Sequence, residues 1–163
     1  MKTPEARFPT VSGKDLLRRK VTLPQDFEGQ LNLVLIAFHQ WHQAWVDTWV
    51  PTAQRLEQTH PFLRYYELPV IYNMNFIAQT FINEGMRAGI PDPTAREKTI
   101  TLYLDKPAFR RALGLPHEET IYILLIDRDG KVLWREEGPY TEEKARSLLE
   151  AIQRETAQVE TRG

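Results

Sequence analysis

The sequence predicts an α/β sandwich built around a mixed sheet. Two uninterrupted apolar runs of strand length, "LNLVLIAF" (31–38) and "TIYILLID" (120–127), read as strands buried on both faces. Strand-like and helix-like segments alternate between them, the pattern of an α/β chain. "DRDG" (127–130) then turns the chain into "KVLWREEG", a hairpin that makes the sheet mixed rather than wholly parallel.

Residues 7–30 are rich in turns, with Phe8-Pro9, Ser12-Gly13 and Leu23-Pro24, and leave room for a short strand or hairpin around Leu16 to Leu23. After the first apolar run, Trp45, Trp49, Ala53 and Leu56 recur on one helical face. Pro51 lies inside that helix and removes a backbone donor, so a kink is expected there. "FLRYYELPVI" (62–71) reads as a strand. Asn73 to Ala88 reads as a helix with an apolar stripe of Phe76, Ile77, Phe81 and Met86, broken by "PDPT" (91–94). "TITLYLD" (99–105) alternates as a strand should, and "PAFRRALGL" is a short helix stopped by Gly114 and Pro116. Thr141 caps a closing amphipathic helix through Ala145, Leu148, Leu149 and Ile152. The polar tail after Glu155 is expected to fray.

At 163 residues the chain is expected to be one domain, with its core in about 7–153 and a flexible tail at 156–163. An apolar fraction of 42% and a charged fraction of 26% match a globular chain, and a net charge of −1 argues against a nucleic-acid partner. There is no cysteine, which excludes disulfides, thiolate nucleophiles and cysteine metal sites. The longest apolar run, Leu33 to Phe38, is far shorter than the roughly 20 residues that span a bilayer. "MKTPEARFPTVSGKD" lacks an apolar signal core. A soluble, cytoplasmic protein without a transmembrane segment is the expectation.

Several stretches resemble the redoxin branch of the thioredoxin-like fold. "FPTVSGKDLLRRKVTLPQDFEGQLNLVLIAF" is similar to the redoxin opening, "DKPAFRRALGL" to the segment before the substrate-facing loop, and "YILLIDRDGKVLW" to the redoxin closing hairpin. The resemblance implies a three-layer sandwich with a mixed central sheet, flanking helices and an N-terminal hairpin extension. A narrower resemblance is to the mitochondrial ATP synthase assembly factor family. It rests on Phe8-Pro9, Gly13-Lys14, "VDTW" (46–49), Met86-Arg87 with Ile90-Pro91, Leu113-Gly114-Leu115, Tyr122, Asp127, Lys131, Trp134, Gly138-Pro139 and Glu143. That family implies an assembly chaperone for a membrane subunit rather than a redox enzyme.

In the redoxin pattern a reactive cysteine pair sits where this chain reads "HQWHQAW", the stretch of His39, Gln40, Trp41, His42, Gln43 and Trp45. Anchoring on Trp41 puts His42 and Trp45 at the two cysteine positions; anchoring on Pro51 puts Gln43 and Val46 there. Neither register supplies a thiol, and thiol–disulfide exchange needs an attacking thiolate. The proline that redox relatives hold in the cis form is matched here by Ile121 or Thr120, where a trans bond is expected. These residues are expected to be vestigial active-site positions.

Three functional readings follow. The favoured one is a redox-inactive binding or assembly protein without a cofactor, with an apolar groove near Trp41 and Ile121. Its protein partner is unidentified, with a membrane-complex subunit as the candidate, and the contact residues expected are Trp41, Tyr65, Tyr66, Arg87 and Trp134. Tyr65 and Tyr66 are adjacent in a strand, so one of them should face outward. The alternative is a non-thiol enzyme in which His39 and His42 hold a metal, with Asp47 and His60 as the nearby further ligands. The third is a homodimerising domain. No phosphate loop or nucleophile elbow is present, and Glu118-Glu119 and Glu136-Glu137 read as solvated charge.

Overall fold

The computed structural model describes residues 6–162. Seven strands form one sheet in the order β2-β1-β5-β4-β3-β6-β7. They are β1 (Val11–Asp15), β2 (Lys20–Leu23), β3 (Leu31–Ala37), β4 (Leu63–Tyr72), β5 (Ile100–Leu104), β6 (Tyr122–Asp127) and β7 (Val132–Glu137). The helices are α1 (Gln43–Thr59), α2 (Phe76–Gly89), α3 (Pro93–Lys98), α4 (Lys106–Leu113) and α5 (Glu142–Arg162), and a 3-10 turn (Gln40–His42) leads into α1.

The sheet is mixed, as expected. β3, β4 and β5 run parallel, while β6 pairs antiparallel with β3 and β7, and β1 antiparallel with β2 and β5. Every residue of β3 is buried because the strand feeds two cores. Val34 and Ile36 join Phe8, Phe27, Tyr66 and Phe109 on the α4 side. Leu33 and Leu35 join Trp49, Leu56, Ile123 and Leu148 beneath α1 and α5. α1 continues through Pro51 without ending.

Four features differ from the sequence-based expectation. The first hairpin is β1–β2, and Leu16 lies in its turn with a buried side chain. Asp15 shapes that turn by accepting from the Leu17 and Arg19 amides at 2.9 Å each. "PDPT" breaks α2 and also starts α3: Asp92 accepts from the Thr94 amide, and Pro93 takes the first helical position. The tail after Glu155 is helical to Arg162 rather than frayed; Gly163 lies outside the described residues. Finally, the apolar stripe of α2 faces outward except at Met86, which is half-buried. Phe76, Ile77 and Phe81 are 68%, 80% and 81% exposed, while Gln79 and Asn83 meet the Tyr103 hydroxyl of β5.

Candidate functional site at the end of the central strands

The parallel strands β3, β4 and β5 all end on one edge of the sheet, the edge where open α/β sheets usually place their working surfaces. The β3–α1 junction stands there. His42 is fully buried at the last step before α1. Its Nδ1 accepts from the Phe38 amide at 3.0 Å and the His39 amide at 3.2 Å, and its own amide donates to the His39 carbonyl at 3.0 Å. An Nδ1 that accepts two N–H groups is unprotonated, so the ring is the neutral Nε2–H tautomer. Burial holds the His42 imidazole below the ordinary histidine value; His39 and Lys106 push the same way, and the Glu119 carbonyl opposes them.

Around His42 lies an aromatic cluster. The Trp41 ring meets His42 edge-on with centroids 4.2 Å apart and Trp45 at 5.1 Å. His39 stacks on Trp41 at 5.7 Å, and Trp45 stacks on His42 at 5.8 Å. Trp41 caps the cluster and is 54% exposed, with Gln40 and Gln43 exposed beside it. Trp45 is half-buried. Trp49, one turn on, is sealed, and its indole N–H donates to the Gly138 carbonyl at 2.9 Å. Ile121 is fully buried and Thr120 half-buried, so the expected apolar groove between Trp41 and Ile121 is closed on the Ile121 side. Among the described residues the cis bond is Leu23-Pro24, and the bonds around Ile121 are trans as expected.

The sequence does not single out Lys106 and Glu67 at this edge, and it predicts Glu118 to be solvated. Lys106, at the start of α4, is buried; its Nζ donates to the Phe38 carbonyl at 2.7 Å and lies 4.5 Å over the Tyr72 ring. Glu118 lies 3.8 Å from Lys106 and 3.1 Å from Arg110, so it is a partnered, nearly buried carboxylate and not solvated charge. Glu67, in the middle of β4, accepts from Gln43 at 3.1 Å. Burial raises its carboxyl above the usual range, with Gln43 opposing and Asp47 adding to the rise. Glu67 was legible as a charge on the inward phase of a strand, in step with Leu63 and Tyr65. Lys106 had no local signal, because its partners are Phe38 just after β3, Tyr72 at the end of β4 and Glu118 before β6.

The expected contact residues divide. Trp41 is at the surface. Tyr65 and Tyr66 are both buried, which corrects the expectation that one faces outward. β4 is a central strand covered on both sides: Tyr65 lies under Lys98, and Tyr66 packs against Phe27 and accepts from the Glu28 amide at 2.9 Å. Trp134 is half-buried, with its indole donating to Ser147 of α5 at 3.0 Å, so it fastens α5 to β7. Arg87 is half-buried near the end of α2, where its carbonyl accepts from Arg96 at 2.9 Å.

The metal reading does not fit the donor set. Both backbone bonds to His42 would break before Nδ1 could bind a metal, and His60 stands at the opposite end of α1. Among the described residues no group of three or more His, Asp or Glu side chains could hold a metal ion. None of the described helices is long and apolar enough to cross a membrane.

The family model described as ATP10 protein matches residues 4–154. No curated protein matches. Among solved structures, the thioredoxin domain of a thiol-disulfide oxidoreductase from Bacteroides vulgatus is similar over 93% of this chain and 99% of that one, at 15% identity and a TM-score of 0.56. BsSco, a member of the Sco family of cytochrome c oxidase assembly proteins, is similar over 92% and 95%, at 14% identity and a TM-score of 0.59. The exposed lipoprotein thioredoxin Etrx1 from Streptococcus pneumoniae is similar over 89% and 99%, at 14% identity and a TM-score of 0.55. These likenesses show the fold: a thioredoxin-like α/β sandwich.

Proposed function

The chain belongs to the ATP10 protein family of ATP synthase assembly factors, and on that premise we propose that it is a redox-inactive assembly factor. It binds a subunit of a membrane complex from the aqueous side and runs no thiol–disulfide chemistry. The observation that carries this reading is His42. In the register anchored on Trp41 it takes the first cysteine position. There it serves the backbone with its one acceptor nitrogen and is sealed from solvent. A group so used is unavailable as nucleophile, base or ligand, and the chain holds no thiol to replace it.

What remains at the surface is a contact anchor. Trp41 is held on three sides by His39, His42 and Trp45, so little side-chain freedom is lost when it docks. The likeness to BsSco accords with the assembly part of this reading alone, since that protein belongs to a family of cytochrome c oxidase assembly proteins but has an identified disulfide switch.

A photocrosslinking residue at exposed position Gln40, used in native extract with membranes retained, tests the proposal. The expected product is an adduct with a membrane-complex subunit that is lost in Trp41→Ala. An adduct undiminished by Trp41→Ala would remove Trp41 from the contact. Reduction of insulin by the native chain would end the redox-inactive reading.

A further inference from the structure

We propose that α2 docks the protein on an anionic lipid bilayer surface, with Phe76, Ile77 and Phe81 entering the boundary between headgroups and acyl chains. The proposal concerns side chains other than the Trp41 anchor and stands whichever protein is assembled. The three largest exposed side chains of α2 are apolar. The half-buried side is mixed, with Ala78, Ile82 and Met86 beside Gln79 and Asn83, and the Tyr103 hydroxyl lies 3.1 Å from the Gln79 backbone carbonyl and 3.2 Å from Asn83 Oδ1. No residue of α2 is fully buried. The outer side presents Phe76, Ile77 and Phe81 at 68%, 80% and 81% exposure, with Tyr72 at 57% just before the helix. Farther along, a Cβ added at Gly85 or Gly89 would meet nothing within 4 Å. With 14 residues, α2 is too short to cross a bilayer, so it must lie along the surface.

Charge selects the occupant. The one acidic side chain of α2, Glu84, is clamped by Arg18 through bonds of 2.7 and 3.1 Å, which removes free negative charge from the face. Lys14 stands 4.9 Å over the Phe76 ring, and Lys20 lies directly across the β1–β2 ladder from Lys14. Two like charges in cross-strand register repel each other unless an external anion sits between them. Arg18 is neutralised in its pair with Glu84, Arg19 bonds to Asp15 and Glu97, and Lys98 is buried against Glu57, so the basic flank consists chiefly of Lys14 and Lys20. An apolar ridge with a basic flank matches the headgroup layer of an anionic membrane. A second copy would instead bring two basic flanks together, which charge disfavours.

Co-flotation of the full chain with vesicles decides the matter. The protein should float with phosphatidylcholine vesicles that contain phosphatidylglycerol and much less with phosphatidylcholine alone. Ile77→Asp/Phe81→Asp should weaken binding by about 10-fold or more, because it sets charge into the acyl boundary. Lys14→Glu/Lys20→Glu should abolish the preference for the anionic lipid and its salt dependence. All four positions lie at the surface or half-exposed, and an unchanged thermal midpoint confirms that each variant folds. Failure of the native protein to float, or equal flotation of the Asp variant, overturns the proposal. So does a concentration-dependent dimer that forms without lipid and vanishes in the Asp variant, which would give the face to a second copy. Trp41→Ala should remove the Gln40 crosslink and leave flotation unchanged, so the two readings fail separately.

Discussion

His42 shows how one side chain can hold a junction together. The chain leaves β3 at Ala37 and must turn before α1, which leaves the Phe38 and His39 amides without strand partners. One imidazole nitrogen takes both. Replacing His42 with Ala strands two buried N–H groups and opens a cavity, which should cost about 2–3 kcal/mol in denaturant unfolding. The same bonds make the junction acid-sensitive. The folded-state value lies below the ordinary 6.5, so between the two the unfolded chain binds the proton more readily. The stabilisation is therefore complete above about pH 6.5 and is lost as pH falls below that, through the folded-state value. Comparing the unfolding free energy of native and His42→Ala proteins across this window should show their gap narrowing toward acid. Parallel profiles would mean that His42 does not titrate as the burial requires. A sequence alone places His42 at the junction but not its direction. A His at a loop-to-helix junction more often bonds locally than binds a metal, and the two amide contacts show which of His39 and His42 is the backbone acceptor.

At the scale of the elements, α1 is tied through Trp49 to the turn that follows β7. Its indole donates to the Gly138 carbonyl, the Gly138 amide donates to the Ile121 carbonyl at 3.1 Å, and Tyr140 packs edge-on against the indole at 5.5 Å. Gly138 sits at φ +81°, a conformation that a side chain would strain. Helix, β6 start and β7 end are thus pinned at one point. Trp49→Phe removes the bond, leaves the Gly138 carbonyl without that partner and leaves a small void, so a loss of about 1.5–3 kcal/mol is expected, read as a lower urea midpoint at unchanged slope. A shift well under 1 kcal/mol would show that the pin carries little. The 45, 49, 53, 56 periodicity made the burial of Trp49 legible. It did not do so for α2, where a similar apolar pattern points outward. Periodicity identifies the apolar side of a helix, but what covers that side depends on the sheet beneath, and Tyr103 there bonds to polar groups. α3 escaped for another reason: "PDPT" stops one helix and starts the next with the same residues.

For the molecule as a whole, the α/β order, the mixed sheet and the closing hairpin could be read from two apolar runs and one turn, because buried strands leave the strongest local mark. The network of Lys106, Glu118 and Arg110 could not, since it joins segments that meet only in the folded sheet. The same limit left the cysteine register open between His42 with Trp45 and Gln43 with Val46. Geometry makes the two pairs testable. His42 and Trp45 already stack at 5.8 Å between ring centroids, whereas Gln43 is exposed and Val46 is buried in the core under α1. Residues three apart at a helix start lie on one face, close to the span that a disulfide bridges. His42→Cys/Trp45→Cys should therefore close a disulfide under mild oxidation, read as loss of two titratable thiols, while Gln43→Cys/Val46→Cys should stay largely reduced. The reverse result would move the register by one. Even with its thiols restored, the first variant should reduce insulin no faster than the native chain, because Ile121 is sealed under a trans peptide and leaves no open groove to align an extended substrate. Catalytic turnover by that variant would mean that the substrate groove outlived the cysteines.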